Sequence, residues 1–272
     1  MWVIFLLIAL FVFILLPFFS ILPRFKRDTS PFDRTIYAHR GLHDNENGVP
    51  ENSLAAFAAA AEAGYGVELD VQFTADKQIV VFHDNDLKRM CGIDKRVDEL
   101  TYAELRELRL LDSDQCIPLL SDVLDILDGA TLLCEFKAMR SYADTALCAL
   151  TLPMLDAYKG SVCIESFNPI MVRWFRKHAP QYIRGILSQK FKGGEVPRAM
   201  RFPLASLFTN CLCRPDFIAY RHTDYTQPFF WLCRLFRPLT IAWTVQSESE
   251  AQIAKCHFDT IIFEGYLPQK ND

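Results

Sequence analysis

A chain of 272 residues with 51% apolar and 23% charged side chains can bury one large core, enough for a single α/β barrel or two smaller domains. Its formal net charge of −4 supplies no basic face and argues against nucleic-acid binding. Nine cysteines lack a regular spacing, with Cys211 and Cys213 the only close pair and no second pair to complete a zinc site, so they read as buried free thiols of a reducing compartment.

Residues 2–19 form an unbroken apolar run in which Pro17 is the only helix-disfavouring residue. Ser20, Ile21 and Leu22 extend it to roughly the 20 residues that cross a bilayer. No Lys or Arg precedes the run and no small-x-small site follows it, which favours a single transmembrane helix over residues 1–22 above a secretory signal. No face of the run is polar, against a buried helix of a soluble fold. Arg24, Lys26 and Arg27 follow, so by the positive-inside tendency the C-terminal side is expected in the cytoplasm, with the chain a single-pass membrane protein. Residues 23–34, polar and carrying two prolines, read as a linker.

From residue 35 to 272, strand-like runs alternate with helical patterns. Strands are expected at 36–39, 67–72, 131–136, 161–166, 183–187, 217–220, 240–245 and 260–263. Most of the gaps between these eight runs hold a crossover helix, which predicts a TIM (β/α)8 barrel. The first helix, 52–63, has Asn52 or Ser53 as its cap, Leu54, Phe57 and Ala61 as its buried stripe, and Gly64 as its end. A further strand at 78–83 follows the second after only four residues, too few for a parallel crossover, and is expected as a hairpin partner. Residues 84–130 are then an insertion after the second strand. Within it Thr101 and Glu104 form a capping box, and 121–127 is a helix burying Val123, Leu124 and Leu127.

The residues that carry chemistry stand at the ends of these runs, and a parallel barrel gathers its strand ends at one mouth. Glu68 and Asp70, two apart in a strand, share a face. Two inward carboxylates repel unless a cation lies between them, and an oxygen-rich site suits Mg²⁺ or Ca²⁺. Alternatively the strand turns its acids to solvent. Glu135 and Lys137 repeat the spacing, as a third ligand with a phosphate-holding ammonium or as an inward salt bridge. His39 and His83, at two strand ends, fit a general acid and base or a structural role. Arg40 could clamp a phosphate, with Gly41 allowing the sharp turn behind it. Glu51 either opens a helix or orients Arg40 or a histidine. Trp243 either walls the pocket or fills the barrel. His43, His178, His222 and His257 have no comparable neighbours.

Taken in order, HRG (39–41), PENS (50–53), ELDVQFTADKQIVVFHD (68–84), LTYAEL (100–105), IPLLSDVL (117–124), CEFK (134–137), ESFNP (165–169) and AWTV (242–245) resemble the glycerophosphodiester phosphodiesterase family, over roughly residues 35–268. The resemblance implies a TIM barrel with a small insertion after the second strand. It implies one Mg²⁺ or Ca²⁺ on Glu68, Asp70 and Glu135, His39 and His83 as the acid–base pair, and phosphate contacts from Arg40 and Lys137. Members cleave glycerophosphodiesters to sn-glycerol 3-phosphate and an alcohol, with the glycerol 2-hydroxyl or water as the attacking group. This chain departs from the family at Ser53, where Thr is commoner, at Gln246, where Asn is usual, and at Glu264, where Asp is usual. The apolar stretch 189–238, including PFFWLCRLFRP, reads as an ordinary crossover helix or as one resting on a bilayer. Competing functions are a lysophospholipase D activity on lysophospholipids and a non-catalytic binding barrel.

Overall fold

In the computed structural model, which describes residues 2–24, 28–139, 141–191 and 196–269, nine strands form one sheet. They are β1 (Tyr37–Ala38), β2 (Gly66–Phe73), β3 (Ile79–Val81), β4 (Leu132–Phe136), β5 (Val162–Ser166), β6 (Ile183–Ser188), β7 (Phe217–Arg221), β8 (Leu239–Val245) and β9 (Thr260–Phe263). All except β3 are parallel, and β1 pairs with both β2 and β9, closing an eight-stranded TIM barrel. The antiparallel β3 joins β2 through Val71–Val81, Gln72–Val80 and Phe73–Ile79, as the four-residue gap requires. It finds that edge open because β1 is only two residues long. The expected strand 36–39 stops short at Ala38, where Arg40 (φ 55°) and Gly41 (φ 83°) turn the chain toward the first helix. A Cβ on Gly41 would lie 2.7 Å from the Ala56 carbonyl carbon, so glycine is needed there for space as well as for conformation.

The strand alternation sorts the core into two layers. Val67, Leu69 and Val71 face outward against Phe57, Ala60 and Leu124. Tyr37, Leu133, Cys163, Phe217 and Ile241 fill the barrel interior. The helix Leu54–Glu62 begins at Ser53, whose hydroxyl accepts the Ala56 N–H. Its fully buried stripe is Ala56, Phe57 and Ala60, shifted from the expected Leu54, Phe57 and Ala61, whose outer two are only half-buried. The small alanines, and not Leu54, let the helix approach the sheet closely.

The excursion after β3 has its own small core of Val80, Phe82, Leu87, Met90, Val97, Leu105 and Ile117, and the Thr101 capping box forms. The expected insertion 84–130 is nevertheless too long. The helix Leu120–Leu127 buries Leu120, Val123, Leu124 and Leu127 in the main core and serves as the barrel's own crossover between β2 and β4.

The N-terminal boundary also moves. One apolar helix runs Trp2–Ser20, long and apolar enough to cross a membrane. Ile21 and Leu22, expected as its last residues, instead belong to the barrel. Ile21 is fully buried, its carbonyl accepts from Asn210 Nδ2 at 2.9 Å and Cys233 Sγ at 3.3 Å, and Arg24 N–H bonds Pro215 O. The expected linker is likewise structural in part. Phe32 is buried among the interior residues at the N-terminal end of the strands, stoppering the barrel floor. Such burial contributes about 1.5–3 kcal/mol. Lys26 and Arg27, which helped to set the expected orientation, lie outside the described residues. PFFWLCRLFRP contains the crossover helix Pro228–Arg234, which buries Phe230 and Cys233. All nine cysteines are free, although Cys211 and Cys256 are exposed, not buried.

Candidate active site

The parallel register sets a row of acids at one level of the mouth: Asp70 is the partner of Glu135, and Glu135 of Glu165. Together with Glu68, all four are buried. Glu68, Asp70 and Glu135 each present an oxygen within 4.8 Å of the others. Glu165 was not singled out in the sequence, although it opens the ESFNP stretch at a strand end. Its Oε2 is buried and accepts no hydrogen bond.

Two cations stand against these four carboxylates. Lys137, one residue beyond β4, places Nζ 2.8 Å from Asp70 Oδ1 and 2.7 Å from Glu135 Oε1. Arg40 has Nε 3.4 Å from Asp70 Oδ2, and its backbone N–H donates to Glu68 Oε2 at 2.9 Å. The deficit of two positive charges shows in the acids. Burial, and then Asp70 and Glu135, push the Glu68 carboxyl well above its ordinary range. Burial does the same to Glu165, and raises Glu135 despite Lys137. Burial would raise Asp70 too, but Lys137, His83 and Arg40 outweigh it and hold that carboxyl well below its usual range. Asp70 also accepts from Asn52 Nδ2 at 2.9 Å. Asn52, the second candidate cap, therefore has another job: a left-handed backbone (φ 56°) turns its amide inward.

His39 sits just past β1. Its Nδ1 lies 2.6 Å from Glu264 Oε2, and its Nε2 faces Glu68 Oε2 at 4.0 Å. A carboxylate only accepts, so Nδ1 carries the proton and Nε2 keeps its lone pair toward the acids. Burial, the largest effect, holds the imidazole down at about 4, with Glu264 opposing it. His83 hangs from the end of the hairpin, with Nδ1 2.7 Å from Asp84 Oδ1.

Arg89 ties this side of the mouth together, although no motif marked it. Its Nη1 and Nη2 donate to Glu51 at 2.9 and 2.7 Å, and its Nε donates to Asp84 at 2.7 Å. Glu51 also accepts from Arg40 Nη1 at 2.6 Å. Burial would raise Glu51, yet the two guanidiniums hold it down at about 2. Glu51 is thus the strut between Arg40 and Arg89. Trp243 lines the cavity and meets Phe167 edge-on at 5.5 Å, above the interior plug. The cavity, about 90 Å³, is bordered by His39, Arg40, Glu68, His83, Glu135 and Glu165. The structure therefore gathers all the predicted residues at one end of the barrel. His43, which had no evident neighbours in the sequence, lies 4.0 Å from Glu264.

A family model described as the glycerophosphoryl diester phosphodiesterase family matches residues 39–256. The chain is 31% identical over 217 residues to glycerophosphodiester phosphodiesterase 1 of Rattus norvegicus, covering 72% of this chain and 64% of that one. The Bos taurus protein of the same name is 29% identical over 287 aligned positions, 90% of this chain and 83% of its own length. The rat relative is thus spanned over less than two thirds of its length. The crystal structure of a glycerophosphodiester phosphodiesterase from Thermotoga maritima superposes with a TM-score of 0.66 at 25% identity, covering 84% of this chain and 94% of that one. With the family model spanning most of the barrel, this chain belongs to the glycerophosphoryl diester phosphodiesterase family.

Proposed function

We propose that this chain is a membrane-anchored, metal-dependent phosphodiesterase that cleaves glycerophosphodiesters to sn-glycerol 3-phosphate and an alcohol. The carrying observation is the buried charge deficit: among the described residues, Glu68, Asp70, Glu135 and Glu165 face the fixed cations Arg40 and Lys137 alone, in a cavity flanked by two histidines. A divalent ion, Mg²⁺ or Ca²⁺, makes good a deficit of two charges, and the all-oxygen donor set of Glu68, Asp70 and Glu135 suits such hard cations. When bound, it polarises the phosphoryl group and makes a nearby hydroxyl a better acid.

The chain's own residues supply the remainder. Arg40 and Lys137 offer hydrogen bonds to phosphoryl oxygens. His39, neutral at physiological pH, takes the proton of the attacking hydroxyl on Nε2, and Glu264 stabilises the imidazolium that forms. His83, steadied by Asp84, returns a proton to the oxygen of the departing alcohol. Glu51 and Arg89 keep Arg40 and the hairpin in place. Trp243 and Phe167 form an apolar wall against the glycerol side of the substrate.

A single-pass anchor is supported by the continuity between the apolar helix Trp2–Ser20 and the buried Ile21. Arg24, Lys26 and Arg27 favour a cytoplasmic barrel. The chain enters the barrel beside Pro215 and Asn210, before β7, at the floor, whereas the carboxylates lie at the other end. A water-soluble diester reaches that mouth directly, whereas a lysophospholipid must leave the bilayer, which favours the first substrate class. The deciding assay compares glycerophosphocholine with lysophosphatidylcholine, each with Mg²⁺, Ca²⁺ or EDTA. Preference for the lipid overturns the substrate, activity in EDTA overturns the metal, unchanged turnover by His39→Ala overturns the acid–base roles, and no turnover of either substrate by the unaltered chain revives a binding barrel.

A further inference from the structure

At the opposite end of the molecule from the carboxylates is a larger cavity, about 560 Å³, whose lining includes Arg24, Arg176, Arg184 and Arg214 together with Phe19 and Leu22. No acidic side chain is among the described residues that line it. Asp216, behind it, lies 3.7 Å from Arg24 and 3.5 Å from Arg184, whereas Arg176 and Arg214 have no carboxylate within ion-pair distance among the described residues. Arg214 is held by the carbonyls of Phe19 and Leu22 at 3.4 and 3.0 Å, and Arg176 by that of Leu212 at 3.2 Å. Each of these bonds uses one guanidinium nitrogen and a neutral acceptor, which leaves the positive charge uncompensated. A second hollow, about 260 Å³, shares Arg176 and adds Arg173 and Lys177, extending the basic surface.

The place of this cavity decides its occupant. Phe19 belongs to the last turn of the apolar helix, Phe18 meets Phe236 of the barrel at 5.0 Å, and Leu22 is already part of the barrel. The cavity therefore begins where the apolar helix ends, the level at which lipid phosphates lie when the helix spans a bilayer. Its wall is apolar on the helix side and cationic on the barrel side, matching a lipid whose glycerol backbone meets hydrocarbon and whose headgroup carries net negative charge. We propose that Arg24, Arg176 and Arg214 form a binding site for the headgroup of an anionic phospholipid, which seats the barrel floor on the membrane and holds the catalytic mouth toward water. This rests on the anchored reading of the helix.

The test uses the full chain in detergent micelles and native mass spectrometry, with phosphatidylglycerol, phosphatidylcholine or inorganic phosphate added. Phosphatidylglycerol is expected to remain bound where phosphatidylcholine does not. Arg24→Gln with Arg176→Gln weakens its retention about tenfold or more, while glycerophosphocholine turnover is unchanged, which also reports that the variant is folded. Arg176→Lys restores part of the retention. Equal retention of the two lipids, retention indifferent to the double substitution, or displacement of phosphatidylglycerol by millimolar inorganic phosphate overturns the lipid assignment. The intact mass from the same spectra and extraction of membranes with carbonate read the anchor separately. A chain lacking residues 2–20, or released by carbonate, overturns the anchored reading and this site with it, whatever lipid is bound.

Discussion

Glu264 Oε2 lies 2.6 Å from His39 Nδ1, across the seam where the last strand of the barrel meets the first. The two residues are far apart in the chain, yet β1–β9 pairing sets them side by side, with His39 N–H bonded to Phe263 O. The Glu264 side chain reaches across that seam and delivers its carboxylate to the imidazole. Glu264 is held below the usual carboxylate range first by that hydrogen bond, so it stays an acceptor and fixes the His39 tautomer.

Glu264→Gln should therefore lower kcat by about 10- to 100-fold with little change in KM. Glu264 raises the His39 pKa, so its loss should move the acid limb of the kcat/KM profile, set by His39 near 4, to lower pH. An acid limb that stays in place would remove Glu264 from this role. The profile is measured on a soluble glycerophosphodiester.

His39→Ala and His83→Ala should each cost about 10²–10⁴-fold in turnover. They part on the leaving group. A p-nitrophenyl phosphodiester, whose alcohol departs without a proton, should restore much of the His83→Ala rate and little of the His39→Ala rate. Equal rescue of the two variants would reverse or abolish the assignment of base to His39 and acid to His83.

The raised carboxyls of Glu68, Glu135 and Glu165 make metal binding and pH inseparable. Above their ordinary pKa of 4.5 the unfolded chain releases protons that the fold retains, so without metal these groups lose stability as pH rises. His39 works the other way, adding stability as pH rises from about 4 to 6.5. A divalent ion bound to these carboxylates would replace the retained protons. Its increment in Tm should therefore be larger at about pH 8 than at about pH 5. Calorimetry with and without Mg²⁺ or Ca²⁺ measures this, and an increment independent of pH would count against the carboxylate site. Glu68→Gln should shrink the increment.

Ile21→Ala should destabilise the barrel by about 2–5 kcal/mol, as for other fully buried aliphatic side chains, whereas Ile8→Ala, in the exposed stretch of the apolar helix, should leave the barrel's Tm unchanged. Thermal unfolding followed by near-ultraviolet circular dichroism separates the two. Equal effects would mean that the barrel does not begin at Ile21.

The sequence by itself determined the barrel, the hairpin and the placing of Glu68, Asp70, Glu135, His39 and His83 at strand ends. Each is written in local pattern: alternation in β2, a gap too short for a crossover before β3, and side chains two apart on one face at Glu68 and Asp70. The same locality explains where sequence reading stopped. The apolar run does not change character at Ser20, so nothing in it tells that Ile21 leaves the helix for the barrel. Phe32 lies in a polar, proline-containing stretch and reaches the interior only because the chain crosses the floor.

Tertiary structure alone decided the partnerships. Glu165 joins the acidic row through the register of β4 with β5, Asn52 reaches Asp70 through a left-handed turn, and Arg89 bridges Glu51 and Asp84 from the insertion. The arginine-rich floor draws its residues from the N-terminal segment, the helix before β6, the start of β6 and the segment before β7. Charge balance in a buried site is a sum over neighbours in space. Those neighbours come from strands and loops scattered along the whole chain, and only barrel closure brings them within hydrogen-bonding reach.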